Sequence, residues 1–378
     1  MERIMKITCV LLAVMMLLCS CGQEQRATYA YEEDAPSLCE AFKDYFRVGA
    51  AINSWNLDEN SDDFKTLIKN FNIFTLENES KPDAMHPSEN TYNFATVDRF
   101  VEFGEKYDVD LRGHTLIWHS QVPNWFFKDE NGQGTATAEL LLERIKEHVT
   151  TIVSHYKGKI DTWDVVNEVI ADDYGLRRSD WYNIVGDYDG DGDKYDFIEA
   201  AFIAAREADP DARLIINDYS LESSSNKAIT MYNAVKKMLE DGTPIDGVGF
   251  QMHIGLGADA EAMRENFKII AKLKEINPDF VIEVTELDVN CYGWGQPKED
   301  VDITDEFLEK FSKTYTDTIS MLMDLSDEGL IDSVVFWGLH DGVSWLNDGH
   351  MNYPMLIARE LKLKPAYFDV IALPRKRK

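Results

Sequence analysis

Basic residues are scarce in this chain, and so are cysteines, internal repeats and long apolar runs. Lysine and arginine total 38 against 68 aspartates and glutamates, a formal charge of −30. A field of that sign repels phosphate backbones and anionic lipid surfaces, which argues against nucleic acid as a partner. The one concentrated basic stretch, residues 375–378, reads as a solvated end after an ordered domain. Of five cysteines, Cys9, Cys19 and Cys21 crowd the N-terminus. Cys39 and Cys291 remain, and an oxidising compartment permits their pairing without requiring it. Between residues 41 and 378 there is no repeat, no Ser/Gly linker and no second composition regime, so the simplest reading is one domain.

What is present begins with an address. Arg3 and Lys6 precede an apolar run, 7–18, too short to span a bilayer but matched to an export signal over residues 1–20. The stretch Leu18-Cys19-Ser20-Cys21-Gly22 resembles a bacterial lipoprotein box. It implies a lipid anchor through Cys21, with ordinary cleavage nearby as the alternative. The expected location is therefore outside the cytoplasm, membrane-anchored at the cell envelope or surface, and otherwise secreted. Residues 21–40 lack periodicity and read as a tether.

The remainder is a folded protein by composition, 44% hydrophobic with 16 Tyr, 19 Phe and 8 Trp,. Eight short runs rich in β-branched or aromatic residues, at 47–53, 73–78, 110–119, 160–168, 213–219, 247–253, 280–289 and 333–340, are each followed by helix-like sequence. That alternation predicts a parallel sheet with crossover helices, and eight strands predict a closed (β/α)8 barrel spanning 41–378. The segment 138–156 illustrates the helical half. Leu141, Leu142, Ile145, Val149, Ile152 and Val153 recur on one face, with Thr137 as N-cap and Gly158 as the stop.

The polar residues are concentrated at the C-terminal ends of these strands. Glu77-Asn78, His114 through His119, Asn167-Glu168, Asn217-Asp218-Tyr219, Gln251 with His253, Glu286 with Asp288, and Trp337 all fall there. In an eight-stranded α/β barrel those ends converge on one mouth. Any one of them alone is readable as a satisfied rim group, but seven strands behaving alike describe a site. Two carboxylates on such a mouth, Glu168 and Glu286, suit glycoside hydrolysis. One protonates the departing oxygen while the other meets the cationic sugar centre. Asn167 is placed to orient its neighbour, and Asp288 with His253 to tune Glu286. Retention of configuration needs carboxyls about 5–5.5 Å apart and inversion roughly 6.5–9.5 Å, a difference that spacing along the chain does not measure.

Trp163-Asp164-Val165-Val166-Asn167-Glu168 and Val284-Thr285-Glu286-Leu287-Asp288 resemble the active-site strands of glycoside hydrolase family 10 xylanases. Further motifs follow in family order over about 330 residues: Glu77 to Pro82, Arg112 to His119, Asn217 to Tyr219, Gly249 to His253, and Phe336 to Leu339 through Trp345. The resemblance implies a (β/α)8 fold and retaining endo-1,4-β-xylanase activity on xylan, with Glu168 as acid/base and Glu286 as nucleophile. Carried over by position, it implies that Glu77, Asn78 and Lys81 bind hydroxyls on the non-reducing side. His114, Trp118 and Gln121 would surround the cleaved sugar, with Gln251 also in the substrate-binding set. Tyr219 extends the platform toward the leaving group, and Trp337 and Trp345 wall the site with indole faces suited to sugar rings. No cofactor and no metal are expected, and the chain is read as a monomer. Ser80, Asp83 and the segment 354–358 depart from the family pattern, away from the carboxylate pair.

Other readings use the same residues. A related barrel glycosidase acting on β-glucan would share both carboxylates. A glycan-binding lipoprotein without activity would keep the aromatics and lose the carboxylates. A metal-dependent hydrolase would draw on His114, His119 and His253, but the first strand supplies no ligands. Finally, the segment 187–193 matches the first half of a calcium loop through Asp187, Asp189 and Asp191. Its twelfth position is Ile198 and Glu199 comes one residue late, so the expectation is an acidic surface turn.

Overall fold

A computed structural model describes residues 34–295 and 300–377. The expected export signal, Cys21 and most of the expected tether lie outside the described residues. The compact unit runs from residue 36 to the C-terminus, starting before residue 41 because Leu38 and Phe42 of the helix Leu38–Phe42 are buried in it. Among the described residues, no helix is long and apolar enough to cross a membrane.

Among the described residues, nine strands form the sheet: β1 (Arg47–Ile52), β2 (Ile73–Leu76), β3 (Asp110–Trp118), β4 (Thr162–Asn167), β5 (Arg213–Asp218), β6 (Gly247–Phe250), β7 (His253–Gly255), β8 (Val281–Asn290) and β9 (Ile331–Phe336). Their order is β6-β5-β4-β3-β2-β1-β9-β8-β7, and an added β6–β8 pairing closes eight of them into a parallel barrel. β7 pairs only with β8, as an extension above β6. The run 247–253, expected as one strand, is thus two. Met252 adopts φ 58°, a left-handed conformation that interrupts the extended backbone and turns His253 back to the sheet,.

Helices cover the outside, as the alternation predicted. Ala138–His155 begins at Thr137, whose side chain accepts the Leu140 N–H at 3.3 Å. Its buried face holds Leu141, Ile145, Val149, Ile152 and Val153 as expected, but also Arg144 and His148. Those two are buried because Arg144 donates to the Trp125 and Phe126 carbonyls and His148 lies 3.0 Å from the Leu116 carbonyl oxygen. Cys39 and Cys291 are both free thiols.

The barrel interior is not purely apolar. Arg112 on β3 reaches Glu283 on the opposite side (2.9 Å) and Asp164 on the adjacent β4 (2.7 Å), with all three side chains fully buried. Arg213 adds a bond to Glu283 at 2.9 Å and another to Asp332 at 2.6 Å; Arg47 joins Asp110 and Asp332. These residues sit near strand starts, so the network plugs the end of the barrel opposite the polar mouth.

Removing the central cation alone leaves the buried Asp164 with only His114, and the buried Glu283 with only Arg213, as a charged or polar side-chain partner. Arg112→Met is expected to lower stability by about 3–5 kcal/mol, read as a fall in the denaturation midpoint. Adding Asp164→Asn and Glu283→Gln should recover part of it. An equal loss in both variants would assign the effect to packing rather than to charge.

Candidate active site

The C-terminal ends of the strands surround a cleft of about 500 Å³. Every site residue expected from the sequence lines it except Asp288, which stands behind His253. At the end of β2, Glu77 accepts from Asn53 Nδ2 at 3.0 Å, and burial holds its carboxyl above the usual range. The Lys81 ammonium bonds Asn78 at 3.0 Å and Gln121 at 2.7 Å and lies over the Trp118 ring. Burial lowers its pKa, against the opposing charges of Glu286 and Glu77. Ser80 donates its hydroxyl to the His114 carbonyl at 2.6 Å. His114 is further fixed by Asp164 (2.9 Å) and meets Trp337 edge-on.

Glu286 is 4% exposed and its two oxygens are separately held. Asn217 Nδ2 donates to Oε1 at 2.8 Å, and His253 Nε2 lies 3.1 Å from Oε2. The Asn217 amide is oriented by the Thr285 hydroxyl, which donates to its Oδ1 at 2.7 Å. Gly249 is needed beside it, since a Cβ there would stand 2.4 Å from that same Oδ1. Burial alone would drive His253 neutral. Asp288, 2.9 Å from Nδ1, and Glu286 outweigh burial and raise its pKa to about 10. Glu286 is affected in the opposite sense. Burial pushes its pKa up, but the His253 hydrogen bond and the charges of His114 and His253 hold it below the usual glutamate value. The result is an ionised carboxylate against an imidazolium, whose two N–H groups both donate.

Glu168 differs. Its side chain is 17% exposed and accepts from the Trp118 indole N–H at 2.9 Å and from Gln251 Nε2 at 3.1 Å, both neutral donors. His119, 3.9 Å away, is pushed toward its neutral form by burial and by Arg177. The backbone of Glu168 lies at φ 60°. It is held there by its N–H donating to the Asn217 carbonyl (2.8 Å) and its carbonyl accepting from Arg177 (2.7 Å). Gln121, Ser220 and Met252 share this left-handed geometry around the cleft. Such conformations cost on the order of 1–3 kcal/mol each and persist where surroundings impose them.

Tyr219 bonds Asp172 at 2.6 Å and Arg177 at 2.8 Å, with the Lys227 ammonium over its ring. Trp345 donates its indole N–H to Asp288 at 2.8 Å and presents its exposed face to the cleft beside Trp294. Trp294, Ser220 and Arg177 were not singled out in the sequence. Trp294 and Ser220 line the cleft from loops, and Arg177 acts through Glu168 and Tyr219. Asn217 was legible only as part of a motif, and its bond to Glu286 needs the barrel to close. The three histidines considered as metal ligands are instead held by carboxylates or stand beside one.

Residues 37–373 match the model of the family described as glycosyl hydrolase family 10. The chain is 44% identical over 352 residues to endo-1,4-beta-xylanase C of Paenibacillus barcinonensis, covering 90% of this chain and 32% of that protein. It spans about a third of the length of the first curated relatives it matches. The solved family 10 structure from P. barcinonensis superposes with a TM-score of 0.86 at 43% identity, covering 90% of this chain and 98% of that one. The xylanase TsXylA of Thermoanaerobacterium saccharolyticum, solved as a glutamate-to-alanine variant with xylotriose, gives 0.81 at 36% identity over 90% and 99% of the two chains.

The His253 geometry carries a pH signature. Because its folded pKa is raised, the stability it contributes is complete below the unfolded value of 6.5 and is lost as pH climbs through about 10,. The lowered Glu286 acts oppositely, its contribution being lost as pH falls below the ordinary carboxylate range,. Thermal unfolding from pH 6 to 10.5 should therefore show the wild type above His253→Asn at neutral pH, with the gap closing toward pH 10. A constant gap would mean that His253 is neutral in the fold.

Proposed function

The chain belongs to glycosyl hydrolase family 10, and from that premise we propose that it is an endo-1,4-β-xylanase that cleaves internal bonds of xylan with retention of configuration. The observation that carries the reading is the unequal treatment of two strand-end glutamates across one cleft. Glu286 is ionised, buried and held by a cationic partner, as suits a nucleophile. Glu168 is nearer solvent among neutral donors, as suits a group that gives and takes a proton. The relatives named as xylanases and the xylotriose complex support xylan as the substrate.

In the first step Glu286 attacks the anomeric carbon while Glu168 donates its proton to the glycosidic oxygen. The C–O bond breaks and a glycosyl ester forms. Glu168, now ionised, takes a proton from water as that water attacks the same carbon, which releases Glu286 and regenerates the acid. Lys81, Asn78 and Glu77 supply hydroxyl contacts on one side, and Tyr219 extends the platform on the other. Trp337 and Trp345 offer faces for sugar rings. Two carboxylates complete the cycle, so no cofactor enters the proposal. The N-terminal sequence supports export and lipid attachment at Cys21, placing the enzyme at the cell envelope. Incorporation of labelled palmitate by the wild type and its loss in Cys21→Ala would bear that out, and labelling of both would sink it.

Glucuronoxylan hydrolysis followed by chromatography and anomeric NMR should give short β-anomeric xylo-oligosaccharides from the wild type. Glu168→Ala should lower turnover by about 10²–10⁴-fold. Glu286→Ala should abolish it and be rescued by azide with inverted product. Xylan binding without turnover would favour a glycan-binding role, and turnover confined to carboxymethylcellulose would move the assignment to β-glucans.

A further inference from the structure

The loop 186–195 joins the helix Asp180–Val185 to the helix Asp196–Ala208, contributes no residue to the lining of the cleft, and carries four aspartates at alternate positions. The sequence grouped Asp187, Asp189 and Asp191 as half of a calcium loop. The fold regroups them. Asp191 and Asp193 turn to Lys237, whose ammonium lies 3.0 and 3.3 Å from their carboxylates and also pairs with Asp241, so this trio already has a resident cation. Asp187 and Asp189 instead face Asp196, and ligand oxygens of these three lie within 4.8 Å of one another.

No lysine or arginine pairs with this second trio among the described residues. Asp196 is 8% exposed. Its Oδ1 accepts the Asp189 N–H at 3.0 Å, while its Oδ2 is buried with no hydrogen-bond partner. A buried carboxylate oxygen left without a donor is costly, and two further carboxylates beside it add repulsion. A divalent cation resolves both costs at once. Calcium takes carboxylate oxygens at about 2.3–2.6 Å in a flexible geometry, so oxygens that all lie within 4.8 Å of one another can share one ion,. Magnesium demands near-ideal octahedral geometry and keeps several waters, so it is less suited to a loop that offers three carboxylates.

We propose that Asp187, Asp189 and Asp196 bind a calcium ion that ties this loop to the start of the helix Asp196–Ala208. The closing acid is then Asp196, two residues before the twelfth position at which a regular calcium loop places it. The ion is structural. It pins the connection between β4, which leads into Glu168, and its crossover helix, and takes no part in hydrolysis.

The test uses the purified chain stripped with EGTA, at ionic strength fixed with NaCl, and calcium itself as the probe. Calorimetric titration should show saturable binding near one equivalent. The unfolding temperature should rise by about 5 °C at calcium a hundredfold above its Kd. Asp187→Asn with Asp189→Asn keeps the amide oxygen that accepts the Asp191 N–H. That variant should fold, show the unchanged xylan turnover expected of a site away from the cleft, and lose the calcium response. Circular dichroism of the variant separates loss of the site from loss of the fold. Absence of saturable binding, an equal response to magnesium, or a calcium response retained by the variant would overturn the proposal.

Discussion

Arg112 carries a permanent charge into the middle of the barrel, and much of the interior is arranged to neutralise it. A guanidinium taken fully out of water is tolerated only with close partners that satisfy its donors. Asp164 and Glu283 provide them, both themselves fully buried. Each carboxylate has capacity left over. Glu283 passes it to Arg213 at the closed end of the barrel, while Asp164 passes it to His114 on the floor of the cleft. One ion-pair layer thereby stabilises the barrel and fixes the orientation of a ring in the site.

The same economy separates the two glutamates. Their side chains are chemically identical, and only their surroundings differ. Glu286 meets an imidazolium that Asp288 keeps charged, whereas Glu168 meets an indole and an amide. Arg177 and the Asn217 carbonyl hold the Glu168 backbone in its left-handed conformation. Four such residues around one cleft indicate that the scaffold imposes local strain where groups must point inward,.

Much of this was legible beforehand. The eight runs matched the barrel strands to within a few residues at their ends, because buried parallel strands read as short apolar runs. The polar clusters marked the mouth because they gather at the C-terminal ends of those runs, whereas the charged network at the strand starts was not singled out. The division of 247–253 was not legible. An apolar run carries no sign that Met252 will turn left-handed. Trp294 and Ser220 escaped because loop residues obey no period, and Asp196 because a motif counted along the chain assumes a loop shape that this loop does not adopt.

The sequence by itself determined the alternation of strand and helix, the end of the barrel that bears the chemistry, and the two glutamates at its rim. These follow from period, composition and strand direction, which are local properties. Only the tertiary structure decided which neighbour each carboxylate meets. Asn217 and Glu286, Trp118 and Glu168, and Asp187 and Asp196 are brought together by closure of the barrel or folding of a loop. Charge state and hydrogen bonding depend on separations of a few ångströms, and those distances exist only once the chain has closed on itself.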